Sequence, residues 1–370
     1  MSSLFTPLTL RSLTIPNRVW MAPMCMYSAA DQGPEAGVPT DFHLAHLASR
    51  AAGGTGLVMA EATAVRPEGR ISPADLGLWN SAQQAAFTRV TSVIADHGAV
   101  PAVQLAHAGR KASVDRPWNG HRSVPGNEGG WTPVAPSAEA FPPLPVPHEL
   151  TVDEIERLIA DFAASAERAL AAGFRVVEVH GAHGYLLNSF LSPVGNHRTD
   201  AYGGSFENRL RLPLAVVDAV RAVWPEDLPV FFRVSATDWL TENTEDPREG
   251  WTGEDTVRLA KELQARGVDL LDVSTGGMAP KARIPVAPGH QVPFAERVRA
   301  ETGMPTGAVG LITEPAQAEE IVASGRADAV LLGRQLLREP YWANRAAAEL
   351  GATPRWPEQY GYAITPRAGR

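Results

Sequence analysis

The sequence predicts a (β/α)8 barrel with an N-terminal hairpin and a long lid-like loop after the third strand. Three observations predict it. Short apolar, β-branched runs alternate with helical stretches eight times along the chain. The runs are apolar almost throughout, as strands are when helices cover a parallel sheet and both faces are buried. Seven of the eight end in polar or glycine-rich residues, at the end of a barrel that carries chemistry. A doubly wound open sheet shows the same alternation; the count and the polar strand ends favour the barrel. No low-complexity or charged linker interrupts the chain, so a single domain is expected over residues 1–370.

Taken in order, Leu8 to Ile15 offers two β-prone pieces around Arg11-Ser12, a small hairpin. The strand–helix pairs then run Val19–Met24 with Asp41–Ala52, Gly56–Ala60 with Ala82–His97, and Val100–Leu105 with Val152–Ala172. Val176–Val179 precedes Phe206–Val223, Val230–Val234 precedes Glu254–Arg266, and Leu270–Val273 precedes Val292–Thr302. Pro305–Val309 with Pro315–Ser324 and Ala329–Leu332 with Leu336–Ala348 close the series. Between His107 and Glu149 the rhythm stops. Loops of that length inside a compact domain are lids or disordered, and Trp118, Trp131 and Phe141 argue for an ordered lid.

Composition narrows the function. A net charge of −8 argues against a nucleic-acid partner. No apolar run approaches the roughly 20 residues of a membrane span. The start, MSSLFTPLTL, lacks the features of a signal peptide, so the cytoplasm is the expected compartment. One cysteine, Cys25, allows neither an internal disulfide nor a cysteine-ligated iron–sulfur cluster.

The richest strand end follows Val176–Val179, where His180, His183 and Tyr185 are spaced by small residues. Polar groups there are costly unless the site uses them. The histidines read as a metal pair, as two satisfied structural residues, or as a pair that binds an oxyanion. With only Glu61 as a carboxylate at the other strand ends, and His43 and His46 placed in a helix, metal ranks third. Gly310, Gly333 and Arg334, after strands seven and eight, suit a phosphate: backbone N–H groups at tight turns, with a guanidinium beside them. The bland reading is that these glycines only shape the turns. Arg233, within Val230–Val234, is either paired with a carboxylate or placed to stabilise an anion. Gln104 is either satisfied by backbone or reads the edge of a planar ligand. Cys25 alone reads as a small buried hydrophobe.

Four segments together resemble the old yellow enzyme family of flavin-dependent ene-reductases. They are Pro23-Met24-Cys25-Met26-Tyr27, QLAHAGRKA from Gln104, HGAHGYL from His180 and NHRTDAYGGSFENR from Asn196. The cysteine and the lid resemble the bacterial thermophilic-like and xenobiotic-reductase-type branch, and the likeness runs from Leu4 to about Tyr360. The resemblance implies FMN bound non-covalently, its phosphate at Gly276, Gly310, Gly333 and Arg334 and its ring against Pro23, Met24, Cys25, Ala62, Gln104 and Arg233. It implies hydride delivery by NADPH, or NADH, and reduction of activated alkenes. His180 and His183 would hold the substrate oxygen, Tyr27 would assist, and Tyr185 would protonate the α-carbon. Cys25 would tune the flavin, and Lys111 would meet Tyr27 or the nicotinamide. Arg198, Asp200 and Asn208 are expected to form one scaffold network. The branch's C-terminal arginine, which enters a partner subunit's site, is absent: Gln359-Tyr360 is followed by Gly361-Tyr362-Ala363, so either Tyr362 takes that place or the intersubunit contact differs, in a homodimer or dimer-based homo-oligomer. The alternatives are a metal-dependent barrel hydrolase using His180, His183 and Glu61, and a flavin-binding barrel without turnover.

Overall fold

The computed structural model describes residues 2–243, 246 and 248–364, so the ends of the expected 1–370 domain lie outside the described residues. β1 (Leu8–Leu10) and β2 (Leu13–Ile15) form the antiparallel hairpin. Eight parallel strands then close into a barrel, as the alternation predicts: β3 (Val19–Met21), β4 (Leu57–Ala64), β5 (Val100–Ala106), β8 (Val176–Gly181), β9 (Val230–Ser235), β10 (Leu270–Ser274), β11 (Thr306–Ala308) and β12 (Ala329–Leu332), the last pairing back to β3. The lid is ordered. It contains 3-10 turns and a two-stranded parallel pair, β6 (Val134–Ala135) and β7 (His148–Glu149).

The helices are α1 (Asp41–Ala52), α2 (Ser81–Asp96), α3 (Val152–Ala171), α4 (Leu186–Leu191), α5 (Phe206–Val223), α6 (Gly253–Ala265), α7 (Val292–Thr302), α8 (Pro315–Ala323), α9 (Arg334–Arg338), α10 (Trp342–Glu349) and α11 (Gly361–Ile364). Thr151 and Thr252 begin α3 and α6 with capping boxes that return to Glu154 and Asp255, satisfying N–H groups that the first helical turn leaves open. One expected helix, Leu336–Ala348, is two. Pro340 lies between α9 and α10, and its missing N–H and its restriction of Glu339 break the run.

Within the barrel the side chains alternate between two cores. Val19, Met21, Val58, Val103, Val177, Phe232 and Val273 join the outer core, beneath the helices. Trp20, Leu57, Met59, Ala102, Val176, Phe231 and Leu270 fill the interior, and the hairpin adds Leu10 and Ile15 to the same cluster. Trp20 stacks on Phe231 at 5.7 Å between ring centroids. The N-terminal end of the barrel is therefore plugged by packed apolar side chains, and a polar ligand has only the other end to use.

The segment after α4 is fixed by Arg198. Its guanidinium donates to Pro136 O at 2.9 Å, Leu150 O at 2.6 Å and Asp200 Oδ2 at 2.6 Å, joining this loop to the lid. Asn208 is not part of that network, contrary to expectation. It receives the Ser205 cap of α5 and donates to Gly203 O, because it lies inside the helix's first turn. Removing a buried guanidinium leaves carbonyls without donors. Arg198→Ala is expected to destabilise the fold by about 2–4 kcal/mol in urea unfolding followed by circular dichroism; a change within about 0.5 kcal/mol, the range of an ordinary surface substitution, would reject this role.

Candidate active site

Inside the barrel, the interior positions turn polar one step above the plug. Arg233 pairs in register with Asp272 on one side and with His180 on the other, and Gln104 with Glu178. Arg233 Nε lies 3.1 Å from Asp272 Oδ2 but makes no aligned hydrogen bond. Gln104 Nε2 donates to Glu178 Oε1 at 2.7 Å. Burial raises the pKa of both carboxyls, that of Asp272 to about 6, while Arg233 opposes the rise. Glu178 and Asp272 went unnoticed in the sequence, although they give the same signal as Arg233: one charge within a buried apolar strand.

Above this tier, the cleft between the ends of β3, β10, β11 and β12 holds about 580 Å³. Pro23, Met24, Cys25, His183, Arg233, Gly310, Gly333 and Arg334 line it as expected. Ser274, a polar strand end, lines it as well, and so do His290, Gln291, the segment Leu311–Thr313, Gln335 and Arg338, which were missed, since nothing in their local pattern marks them. Gly276 is not among the lining residues. A side chain there would meet Ile284 and Trp239, so its φ of +74° serves the turn itself. Gln104 and Ala62 also lie outside the lining: Gln104 is buried on Glu178, and Ala62 borders a small void beside Tyr185.

His180, His183 and Tyr185 come together. The His180 ring lies 5.2 Å from each of the other two, edge to face. Burial and the nearby Arg233 push both histidine pKa values well down, so both imidazoles are neutral at pH 7. His180 Nδ1 accepts from Ala182 N at 3.4 Å, which leaves Nε2 to carry the proton. His183 Nε2 sits 2.8 Å from Ser274 Oγ. His183 itself is left-handed, with φ +61°, a conformation costing about 1–2 kcal/mol for a non-glycine residue. Its backbone leaves no room for a Cβ at Gly277, and Gly184 is equally tight against Gly277 O. Lys111 holds this junction. Its Nζ donates to His183 O at 2.8 Å and to Gly277 O, and lies over the Phe141 ring of the lid. It makes no hydrogen bond to Tyr27, one of its two expected partners, the other being the nicotinamide, because the two carbonyls draw the ammonium to the junction. Burial lowers its pKa to about 7.

Tyr185 faces a second chamber of about 190 Å³, shared with Ile71, Lys111, His121, Phe141, Pro143 and Leu144. Cys25, Tyr27 and Tyr185 pack around the same small apolar cluster of Ile71, Ala108, Ala112 and Val114. Burial, with Cys25 next in weight, raises the Tyr185 pKa; burial raises that of Tyr27. Both phenols stay protonated. Among the described residues no group of three or more His, Cys, Asp and Glu side chains could hold a metal ion. Glu61 turns instead to Met26 N and His43, which leaves the metal-hydrolase alternative without its third ligand.

The two regions fit one elongated ligand: an anion-binding turn of glycines and arginines at one end, and an apolar slot ending on a buried guanidinium at the other. That is the site of a flavin-nucleotide oxidoreductase barrel. Residues 3–352 match the NADH:flavin oxidoreductase / NADH oxidase family, and the chain belongs to it. The chain is similar to the NADPH dehydrogenase of Bacillus licheniformis, 47% identical over 357 residues, covering 96% of this chain and 97% of that one. In structure it resembles morphinone reductase (TM-score 0.77, 32% identity, 96% and 92% of the two chains). It also resembles the old yellow enzyme homologue of Zymomonas mobilis (TM-score 0.75, 28% identity, 99% and 98%). The protein is thus an FMN-dependent NAD(P)H oxidoreductase of the old yellow enzyme family.

Cys25 is the chain's one cysteine, so its chemistry can be followed without ambiguity. Burial, then Asp75 and Glu61, raise its pKa well above 9.0. In flavin-free protein, the rate of iodoacetamide labelling is expected to keep climbing above pH 9, because the thiolate is the nucleophile. A rate that levels off at or below pH 9 would reject this environment.

Proposed function

We propose that the enzyme reduces the C=C bond of alkenes conjugated to a carbonyl or nitro group. The observation that carries this reading is the cluster of two neutral histidines and a protonated tyrosine beside the flavin-shaped cleft. Pro23, Met24 and Cys25 would flank a bound flavin, which would supply the hydride once reduced by NADPH or NADH. The remaining chemistry belongs to the side chains. His180 offers Nε2–H to the substrate oxygen. With the Ser274 hydroxyl donating to His183 Nε2, the Nδ1–H of His183 offers a second hydrogen bond. Two neutral donors withdraw electron density from the alkene, so its β-carbon accepts hydride. The phenol of Tyr185 gives the proton to the α-carbon, and its raised pKa keeps that proton in place at neutral pH. Tyr27 closes the same wall of the substrate space. Arg233 would offset the negative charge of a reduced flavin, Cys25 would tune it, and Gly310, Gly333 and Arg334 would hold its phosphate.

Lys111 acts here as a staple for the two loops, and its neighbour Phe141 roofs the substrate chamber. Tyr341, Trp356, Tyr360 and Tyr362 form an aromatic surface, with Tyr362 80% exposed and Tyr341 5.5 Å from Trp356. This surface supports a homodimer in which Tyr362 reaches a partner's site. No helix among the described residues is long and apolar enough to cross a membrane.

The function is tested by mixing the purified protein anaerobically with NADPH and then with cyclohexenone, a maleimide and a nitroalkene. Flavin absorbance should bleach and return; bleaching without return on any alkene would overturn the ene-reductase reading. Tyr185→Phe is expected to slow the return by about 10²-fold or more, the usual weight of a general acid, with bleaching little changed. Equal slowing of both phases would remove Tyr185 as the proton donor. The double variant His180→Ala/His183→Ala should keep FMN and lose binding of p-chlorophenol, a mimic of the polarised substrate oxygen. Unchanged phenol affinity would reject the pair as the oxygen site.

A further inference from the structure

Glu61 is a buried carboxyl that the roles above do not use. It is 4% exposed and stands in β4 where the pairing with β5 slips: Ala60 opposes Val103, but Thr63 opposes Leu105. Two residues, Glu61 and Ala62, therefore face one, Gln104. Such a bulge re-aims side chains. Here Glu61 points sideways, beneath the segment that follows β3. Thr63 Oγ1 donates to Glu61 O at 2.7 Å and steadies the bulge.

That segment, Met24 to Ser28, has no regular structure of its own. It carries Cys25 into the cleft and passes through a left-handed residue, Tyr27, at φ +52°. A tyrosine holds that conformation only where its surroundings impose it. From the solvent side, Arg116 Nε donates to Tyr27 O and Thr40 Oγ1 to Ser28 O. From the barrel side, Glu61 Oε1 accepts from Met26 N at 2.9 Å. Behind it, His43 Nε2 lies 3.6 Å from Oε2, beyond hydrogen-bond reach, while His43 Nδ1 accepts from Thr40 N at the start of α1. His43 is fully buried, and its Nε2 makes no hydrogen bond. Bulge and carboxyl support the turn that carries Cys25 and Tyr27, with the imidazole packed behind them.

We propose that Glu61, aimed by the β4 bulge, is a positioning residue for the reaction, fixing the Cys25–Tyr27 turn and through it the wall that Cys25 and Tyr27 present to the flavin and the substrate. This rests on the flavin reading of the cleft. Displacements near 1 Å at a reacting centre can cost about 10²-fold, so a turn released from its support should be felt in binding. Glu61→Ala removes the acceptor for Met26 N; Glu61→Gln keeps one.

The test compares FMN content, the flavin absorption spectrum and p-chlorophenol affinity in the holoenzyme and its variants. Glu61→Ala should retain FMN, show a shifted flavin spectrum and bind the phenol about tenfold more weakly. Glu61→Gln should return both readings to within about threefold of wild type, the carbonyl again accepting from Met26 N. Should Glu61→Ala not fold, Glu61→Asp, which withdraws the carboxylate by one methylene, carries the same expectation. An FMN-loaded Glu61→Ala or Glu61→Asp with wild-type spectrum and phenol affinity would overturn this role alone. So would loss of affinity that Glu61→Gln does not restore. A wild-type chain that takes up no FMN would overturn the flavin reading with it.

Discussion

An arginine and two carboxyls enclosed in a closed barrel, directly above a plug of packed apolar side chains, set the terms for the rest of the structure. Arg233, Asp272 and Glu178 occupy interior positions that alternate with the outer core, so none can turn toward solvent without changing strand register. One cation faces two carboxyls, and burial raises both of their pKa values. Removing one partner from such a pair typically costs about 3–5 kcal/mol, because the other charge is left buried and uncompensated. The tier therefore tolerates little change, and it gives the cleft a fixed floor with a guanidinium directed at the ligand.

On that floor the site is assembled from loops that other elements restrain. Lys111, from the loop after β5, ties His183 O to Gly277 O. The left-handed backbone at His183 and the close approach of Gly184 and Gly277 place the imidazole between Ser274 and His180. Across the cleft, the bulge in β4 brings Glu61 beneath Cys25 and Tyr27. The same principle holds on both sides: a buried polar side chain from one strand end takes over the backbone groups of its neighbour's loop. The loops that carry His183, Cys25 and Tyr27 are thus held in place by the protein's own contacts.

Much of this could be read in the sequence. The eight apolar runs, the polar strand ends, the hairpin and the ordered lid all appear where the alternation put them. The His180–Tyr185 cluster and part of the cleft lining follow from strand-end placement. Boundaries moved where local rules competed: Pro340 divided one helix, and β4 ran on to Ala64 through a bulge that no pattern marks. Gly276 was set at the phosphate by the family resemblance; it lies outside the cleft lining, its N–H donating to Thr237 O and its carbonyl accepting from Ser235 Oγ. Lys111 was expected at Tyr27 or the nicotinamide, since its spacing cannot show that two carbonyls across the barrel mouth claim its ammonium.

By itself the sequence determined the eight barrel strands and their alternation with helices, the end of the barrel that carries chemistry, and the residue types available there. Those follow from hydrophobic period and from the cost of burying polar groups, which act locally. Partnership was decided only by the tertiary structure. Arg233 faces Asp272, Gln104 faces Glu178, and Glu61 turns from a possible metal ligand into a support for Met26 N, because these pairs depend on which strands become neighbours and in what register. The closure of the barrel fixes both at once, and residues far apart in the chain then share one buried layer.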